Sequence, residues 1–237
     1  FFQSLDKIDC IHNRRFNSMN RRKFIMTTLA ATAATIGYLG KSSLIAAPAA
    51  DPTLKEGGKK TMKILVLTGS PRKNGNSNTL ATQFIRGAKE AGHEVIRFDA
   101  AAGNVHPCIA CNSCGMDGPC VFKDDFATVR EHIISADMVV FVTPMYYFGI
   151  SAQLKAVIDR FYAVANRLHT PKKAALLVTY ADNSPRKESV INTHYEVLLE
   201  YLGWTDSGRI FAPGVWPAGA IDRTSFPEQA YQLGKNA

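Results

Sequence analysis

Four of the five cysteines stand within thirteen residues, as Cys108, Cys111, Cys114 and Cys120, in the spacing C-x2-C-x2-C-x5-C. A structural zinc site typically uses two short-spaced pairs separated by a longer arm, which lets four thiolates reach a tetrahedron. This run has no arm. Compact runs of thiolates are how a chain embraces a [4Fe-4S] cube, each sulfur reaching one iron corner. Gly115, Gly118 and Pro119 turn the chain before the fourth ligand. The spacing favours [4Fe-4S], with zinc and disulfides or free thiols as alternatives. Asp124 and Asp125, just before a helical pattern starting at Phe126, read as N-cap residues rather than catalytic ones, and His106 is assigned no role.

Two further segments could do chemistry. The stretch from Thr68 to Leu80, T-G-S-P-R-K-N-G-N-S-N-T-L, is rich in glycine, hydroxyls and amides and carries an arginine. A phosphate there would meet donors from Ser70, Asn76, Ser77, Asn78 and Thr79 and the guanidinium of Arg72. Ser77 or Asn78 is also a natural cap for the helix that follows. The spacing is neither G-x-x-x-x-G-K-[ST] nor G-x-G-x-x-G, which points to a mononucleotide. The second segment is Thr143 to Ser151, in which Pro144, Met145, Tyr146, Tyr147, Phe148 and Gly149 could wall a flat conjugated ligand.

The elements around these segments alternate. Strand-like runs cover 64–68, 94–98, 138–142, 174–179 and 208–212. Between them, Leu80, Phe84, Ile85 and Ala88, then Phe126, Val129 and Ile133, then Leu154, Val157, Ile158 and Phe161, and finally Ile191, Tyr195, Leu198 and Leu202 fall on helical faces. Such alternation predicts an α/β three-layer sandwich, a parallel sheet with helices on both faces. The first, third and fourth runs are almost wholly apolar, as central strands should be, whereas Arg97 and Arg209 mark the second and fifth as edges. A five-stranded sheet of flavodoxin-like order 2-1-3-4-5 follows, with its ligand site at the carboxyl ends of the first and third strands.

The stretches G-S-P-R-K-N-G-N-S and P-M-Y-Y-F-G-I-S-A-Q-L-K-A-V-I-D-R, together with the cysteines preceding Lys123-Asp124-Asp125, resemble the flavodoxin-like NAD(P)H-dependent FMN reductases, and specifically their iron-sulfur flavoprotein branch. The resemblance spans about residues 63 to 235. It implies FMN, with its phosphate in the Ser70–Thr79 loop and its ring system against Pro144–Gly149. It also implies a [4Fe-4S] cluster on the four cysteines, NAD(P)H as a possible hydride donor, a weaker contact near Asp182-Asn183, and a homodimer or dimer of dimers.

Residues 1 to 50 read differently. Met19 is the expected start, and Asn20-Arg21-Arg22-Lys23-Phe24-Ile25-Met26 precedes a short apolar stretch and Ala47-Pro48-Ala49, the order of a signal peptide of twin-arginine type. Threonines and glycines make the stretch too polar and short for a transmembrane helix, so a membrane is expected only through an uncleaved signal. Residues 51–62 read as a linker, and 63–237 as one FMN-binding domain with the cysteine insertion at 103–123. The net charge is +8, of which seven Lys/Arg against two Asp/Glu before residue 50 supply +5, leaving +3 for the rest. Without a basic stripe or groove-reading motif, that argues against a nucleic-acid partner. The expectation is therefore a flavin-dependent oxidoreductase carrying FMN and a [4Fe-4S] cluster, exported after folding, with a protein or quinol as electron partner. The competing readings are an NAD(P)H-dependent FMN or quinone reductase without a cluster, and a non-enzymatic exported domain with disulfides.

Overall fold

A computed structural model describes residues 60–237. The expectations for a signal peptide, a start at Met19 and most of the linker lie outside the described residues. Met62 is already packed in the core, its backbone N–H donating to His93 Nδ1 at 3.2 Å.

Five strands make a parallel sheet: β1 (Lys63–Thr68), β2 (Glu94–Asp99), β3 (Met138–Tyr146), β5 (Lys173–Thr179) and β6 (Thr205–Ala212). Their order is β2-β1-β3-β5-β6, the flavodoxin-like order expected, with β2 and β6 at the edges. A sixth strand, β4 (Gly149–Ile150), is antiparallel to the end of β3 and was not anticipated. The helices are α1 (Asn76–Glu90), α2 (Phe126–Ser135), α3 (Ala152–Asp159), α4 (Ala165–Leu168), α5 (Pro185–Leu202) and α6 (Phe226–Lys235), with 3-10 turns at Arg160–Val164 and Ala220–Arg223.

The period of two along each central strand divides the core. Leu65, Leu67, Val139, Phe141, Leu176 and Val178 point to the face covered by α2, α3 and α5. Ile64, Val66, Met138, Val140, Val142, Ala175 and Leu177 point to the face covered by α1 and α6. On that face the backbones of α1 and α6 touch. A Cβ on Gly87 would stand 2.1 Å from the Tyr231 carbonyl oxygen, and one on Gly234 at 2.1 Å from that of Phe84. The contact thus depends on glycine on both helices. It seats α1, whose N-terminus opens at the carboxyl edge of the sheet beside the ends of β1 and β3.

Candidate functional site

β1 ends where the sheet must release the chain into a loop, and that release is tightly held. Gly69 donates to the Val142 carbonyl at 2.8 Å and its own carbonyl accepts from Ser151 Oγ at 2.9 Å. The helix cap differs from the expectation. Gly75, not Ser77 or Asn78, is the N-cap of α1, and its carbonyl accepts from Asn78 and Thr79. A Cβ on Gly75 would meet Ser70 Oγ at 2.9 Å and the Arg72 carbonyl at 3.0 Å, so any larger residue would push the loop open by a few tenths of an ångström.

The two asparagines brace the loop. Asn76 Nδ2 donates to the carbonyls of Val215 and Pro217, both at 2.8 Å, and its Oδ1 accepts from Ile221 N–H at 3.4 Å. Asn78 Nδ2 donates to the Arg72 and Lys73 carbonyls while its Oδ1 accepts from Arg97 Nη2 at 3.1 Å. Ser77 Oγ pairs with Thr179 Oγ1 at 2.6 Å. The side chains left to meet a ligand from this loop are the Ser70 hydroxyl and the Arg72 guanidinium, beside the N–H groups of the first helical turn, which helix geometry leaves without intrahelical partners.

These groups open on a small cleft of about 80 Å³. Ser70, Arg72, Asn76 and Ser77 form one wall, and Pro144, Met145 and Tyr146 the second. Thr179, Tyr180, Ala181, Val215 and Trp216 form the third. Asn78 and Thr79 lie on the other side of the loop, in a separate polar cleft with Lys73 and Arg97. Tyr147, Phe148 and Gly149 are outside the lining as well. The third wall was missed by sequence reasoning, which pointed only to Asp182 and Asn183. Trp216 is 65% exposed, with Arg72 5.7 Å above its ring and donating to its carbonyl at 3.4 Å. Donors at a helix N-terminus beside an apolar wall suit a ligand with an anionic end and a flat end, and FMN is such a molecule.

The aromatic segment is a hairpin. Met145 pairs with Ile150 and Tyr146 with Gly149, leaving Tyr147 and Phe148 as a two-residue turn. Both have positive φ, +45° and +65°, the mark of a type I′ turn that ordinarily takes Asn-Gly. Tyr147 is fully exposed and Phe148 is 49% exposed.

The cysteines lie on an irregular loop between β2 and α2. All four face one pocket, with Phe122, Arg160, Tyr162 and Ala163 as its other walls. All four are free thiols, Cys108 and Cys111 exposed and the other two half-buried. Among the described residues, no three His, Cys, Asp or Glu side chains are closed around one point at metal-ligating distance. The loop backbone nevertheless fits an anionic centre. Ala110, Asn112, Gly115 and Met116 all have φ between +52° and +67°. Left-handed residues interleaved with ordinary ones turn successive N–H groups into a concavity of the kind that holds anions and iron–sulfur clusters. The Ala110 N–H donates to Cys108 Sγ at 3.5 Å. Hydrogen bonds from the Ser113 hydroxyl and backbone hold the Cys111 thiol below its ordinary pKa, favouring the thiolate that ligates metal. The loop is tied to the domain by Tyr162, whose hydroxyl donates to Asn112 Oδ1 at 2.8 Å, and by Asn166 N–H donating to the Met116 carbonyl at 3.2 Å.

At its end, the expected aspartate cap divides its work. Asp125 stands at the N-cap of α2 without capping by its side chain, and turns its carboxylate to the Asn104 N–H at 2.7 Å. Asp124 Oδ1 accepts from Phe126 N–H at 3.2 Å instead.

Residues 62–212 match the family described as NADPH-dependent FMN reductase. The chain is 35% identical over 143 residues to an iron-sulfur flavoprotein of Methanocaldococcus jannaschii, covering 60% of this chain and 74% of that protein. It is 30% identical over 174 residues to an iron-sulfur flavoprotein of Archaeoglobus fulgidus, covering 73% and 77% respectively. Among solved structures, an NAD(P)H:quinone oxidoreductase from Methanothermobacter marburgensis superposes with a TM-score of 0.61 at 19% identity, covering 75% of this chain and 97% of the other. An azoreductase from Bacillus anthracis gives a TM-score of 0.58, also at 19% identity, covering 75% of this chain and all of that one. At that identity these two establish the fold alone.

Proposed function

The chain belongs to the NADPH-dependent FMN reductase family, and on that premise we propose that this FMN-dependent oxidoreductase also carries a [4Fe-4S] cluster on Cys108, Cys111, Cys114 and Cys120. The observation that carries the reading is that all four thiols line one pocket, on a loop whose left-handed residues suit an anionic centre. The iron-sulfur flavoproteins to which the chain is similar support it.

When bound, FMN exchanges one or two electrons and the cluster one, so the pair can convert between two-electron and one-electron carriers. The chain's own residues bind and orient. Ser70, Arg72 and the first-turn N–H groups of α1 hold the phosphate. Pro144, Met145 and Tyr146 lie along the flat ring system. Trp216 closes the mouth of the cleft over Arg72. Asn76 and Asn78 hold the loop in shape rather than touching the phosphate.

The expected export supplies the rest of the proposal. A twin-arginine signal moves proteins already folded, so both cofactors would be loaded beforehand. NAD(P)H, the donor implied by the family, is not expected at the destination, and a redox protein or quinol would replace it. The functional unit is a homodimer or dimer of dimers.

The visible spectrum of anaerobically purified protein, with iron and sulfide counted, tests the cluster. Flavin bands with a broad shoulder and four irons per chain are expected. Flavin bands without iron leave a plain NAD(P)H-dependent FMN or quinone reductase. A colourless protein with two disulfides leaves an exported non-enzymatic domain. Rapid, specific NAD(P)H oxidation by the mature protein would refute the quinol or protein donor.

A further inference from the structure

The loop that carries the cysteines is closed at its neck by a buried cation. Arg160, in the turn after α3, has a side chain that is 1% exposed, and the Asp124 side chain with which it pairs is 5% exposed. Its Nη1 donates to Asp124 Oδ2 at 2.8 Å and its Nη2 to Asp124 Oδ1 at 3.2 Å, a two-pronged bond. The same Nη1 donates to the His106 carbonyl at 2.8 Å, and the His106 N–H donates to Asp124 Oδ2 at 2.9 Å. His106 lies two positions before the first cysteine and Asp124 four after the last, so one guanidinium joins both ends of the loop. Aromatic packing completes the neck. The His106 and Phe122 rings stack at 4.5 Å and 7°, and the guanidinium lies 5.3 Å from the Phe122 ring and 4.8 Å from that of Phe126.

Arg160 also forms part of the wall of the cysteine pocket and is the sole charged residue among the described residues that line it, whereas Asp124 does not line it. Its Nε is buried without a hydrogen-bond partner among the described residues. A buried donor with no partner is unfavourable unless something supplies an acceptor. Burying an ion pair rarely adds net stability over a well-packed apolar pair, so stability alone does not account for it.

We propose that Arg160 is the positioning residue of the cysteine centre: with Asp124 it latches the neck of the loop, and it places a fixed positive charge and an N–H donor beside the anionic metal–thiolate group. This rests on the cluster reading above. A latch needs both partners and only their geometry. A charge in the wall does more, because a cluster gains negative charge on reduction, and its potential responds to nearby charge and hydrogen bonding. The two partners then act in opposite directions. Without Arg160, the centre faces an uncompensated carboxylate and becomes harder to reduce. Without the Asp124 charge, it faces an uncompensated guanidinium and becomes easier to reduce.

The test uses the full FMN-loaded chain with Arg160→Met, Asp124→Asn and Arg160→Lys, each checked for folding by far-UV circular dichroism. Redox titration of the cluster followed by electron paramagnetic resonance should show Arg160→Met lowered and Asp124→Asn raised. Each should move the one-electron equilibrium about tenfold, which is about 59 mV. Arg160→Lys keeps the charge without the fork, so its potential should stay near that of the unsubstituted protein while iron is lost to a chelator about tenfold faster. Shifts of the same sign in Arg160→Met and Asp124→Asn, or no shifts, would overturn the proposal. A second measurement needs no iron: in the metal-free, FMN-loaded protein, iodoacetamide should alkylate the half-buried Cys114 and Cys120 about tenfold faster in Arg160→Lys, which opens the fork but keeps the charge that favours the reactive thiolate. Unchanged rates would also overturn it. Failure of the unsubstituted protein to take up iron and sulfide would instead refute the cluster reading, and the alkylation rates would still decide the latch.

Discussion

Tyr147 is held in a conformation that most residues avoid, and no side-chain contact among the described residues compensates. Its φ is +45° and its side chain is fully exposed. A left-handed L-residue with a Cβ is unfavourable by roughly 1–2 kcal/mol, a penalty from which asparagine is partly relieved by its short polar side chain. Asparagine is also the favoured first residue of a type I′ turn. Tyr147→Asn therefore removes strain without removing a packed contact, and should raise the stability of the flavin-free protein by about 1 kcal/mol. For a domain of this size that corresponds to a rise of about 2–4 °C in Tm. Tyr147→Ala is the internal control. It loses the same aromatic ring but lacks the short polar side chain that eases the left-handed conformation, so its stability should stay within about 0.5 kcal/mol of the unsubstituted protein. Urea unfolding of the three flavin-free proteins measures both differences. The ring is fully exposed and outside the cleft lining, so any loss of FMN binding in the stabilised variant should come with weaker assembly. Fluorescence quenching by FMN and sedimentation check these outcomes. If Asn and Ala shift stability equally, strain at Tyr147 is not what the substitution relieves. If Asn stabilises with flavin binding and assembly intact, the ring has no role at the site.

Three further predictions concern the loop, its brace and the latch. Arg72→Met should weaken FMN by about tenfold or more, since a hydrogen bond to a charged group contributes about 1.5–3 kcal/mol. Riboflavin, which has no phosphate, should bind as before; equal losses in parallel titrations would place the phosphate elsewhere. Asn76→Ala should behave in the opposite manner. Three hydrogen bonds to the 215–221 segment are lost, at about 1 kcal/mol each, so unfolding shifts and both flavins weaken together. The last prediction is acid dependence at Asp124. Burial alone would raise its carboxyl pKa, but the Arg160 hydrogen bonds, assisted by the N–H groups of His106 and Phe126, hold it below the ordinary value. A depressed carboxylate contributes stability that is full above its unfolded pKa of about 3.9 and lost as pH falls through the folded value. The stability gap between the unsubstituted protein and Asp124→Asn should thus narrow below about pH 4, by urea unfolding at stepped pH. A constant gap would mean that the Asp124 charge does not contribute.

The parts of the fold that sequence made legible are those in which one residue's environment dictates its type. Val66, Val140 and Leu177 sit in strands covered on both faces, and their unbroken apolar runs could only be central. Arg97 and Arg209 could only be edges. α6 carries its apolar period on only three residues, Phe226, Ala230 and Leu233, too short a run to stand out, and its close crossing through Gly87 and Gly234 leaves no apolar signal. The phosphate loop was recognisable by composition, but composition does not say which amide faces inward. Asn76 and Asn78 looked like donors to a ligand and are donors to the protein's own carbonyls. Trp216 and Val215 reach the cleft from a segment more than a hundred residues away, a proximity no local pattern encodes. Arg160 was read as part of a helical run, because nothing in A-V-I-D-R distinguishes a solvated arginine from a buried one.

The brace at Asn76 also sets a schedule. Its three partners lie in residues 215–221, the last of them 145 residues further along. At a synthesis rate of about 5–20 residues per second, the ribosome delivers Ile221 roughly 7–30 s after Asn76. Throughout that interval the nascent chain lacks the 215–221 segment that braces the loop and α6 that seats the helix, even after the Pro144–Tyr146 and Thr179–Ala181 walls have been made. The flavin pocket therefore cannot assemble in the order in which it is translated. It is a late event, and a ribosome-stalled chain ending before residue 215 should hold no flavin however much of the sheet has formed.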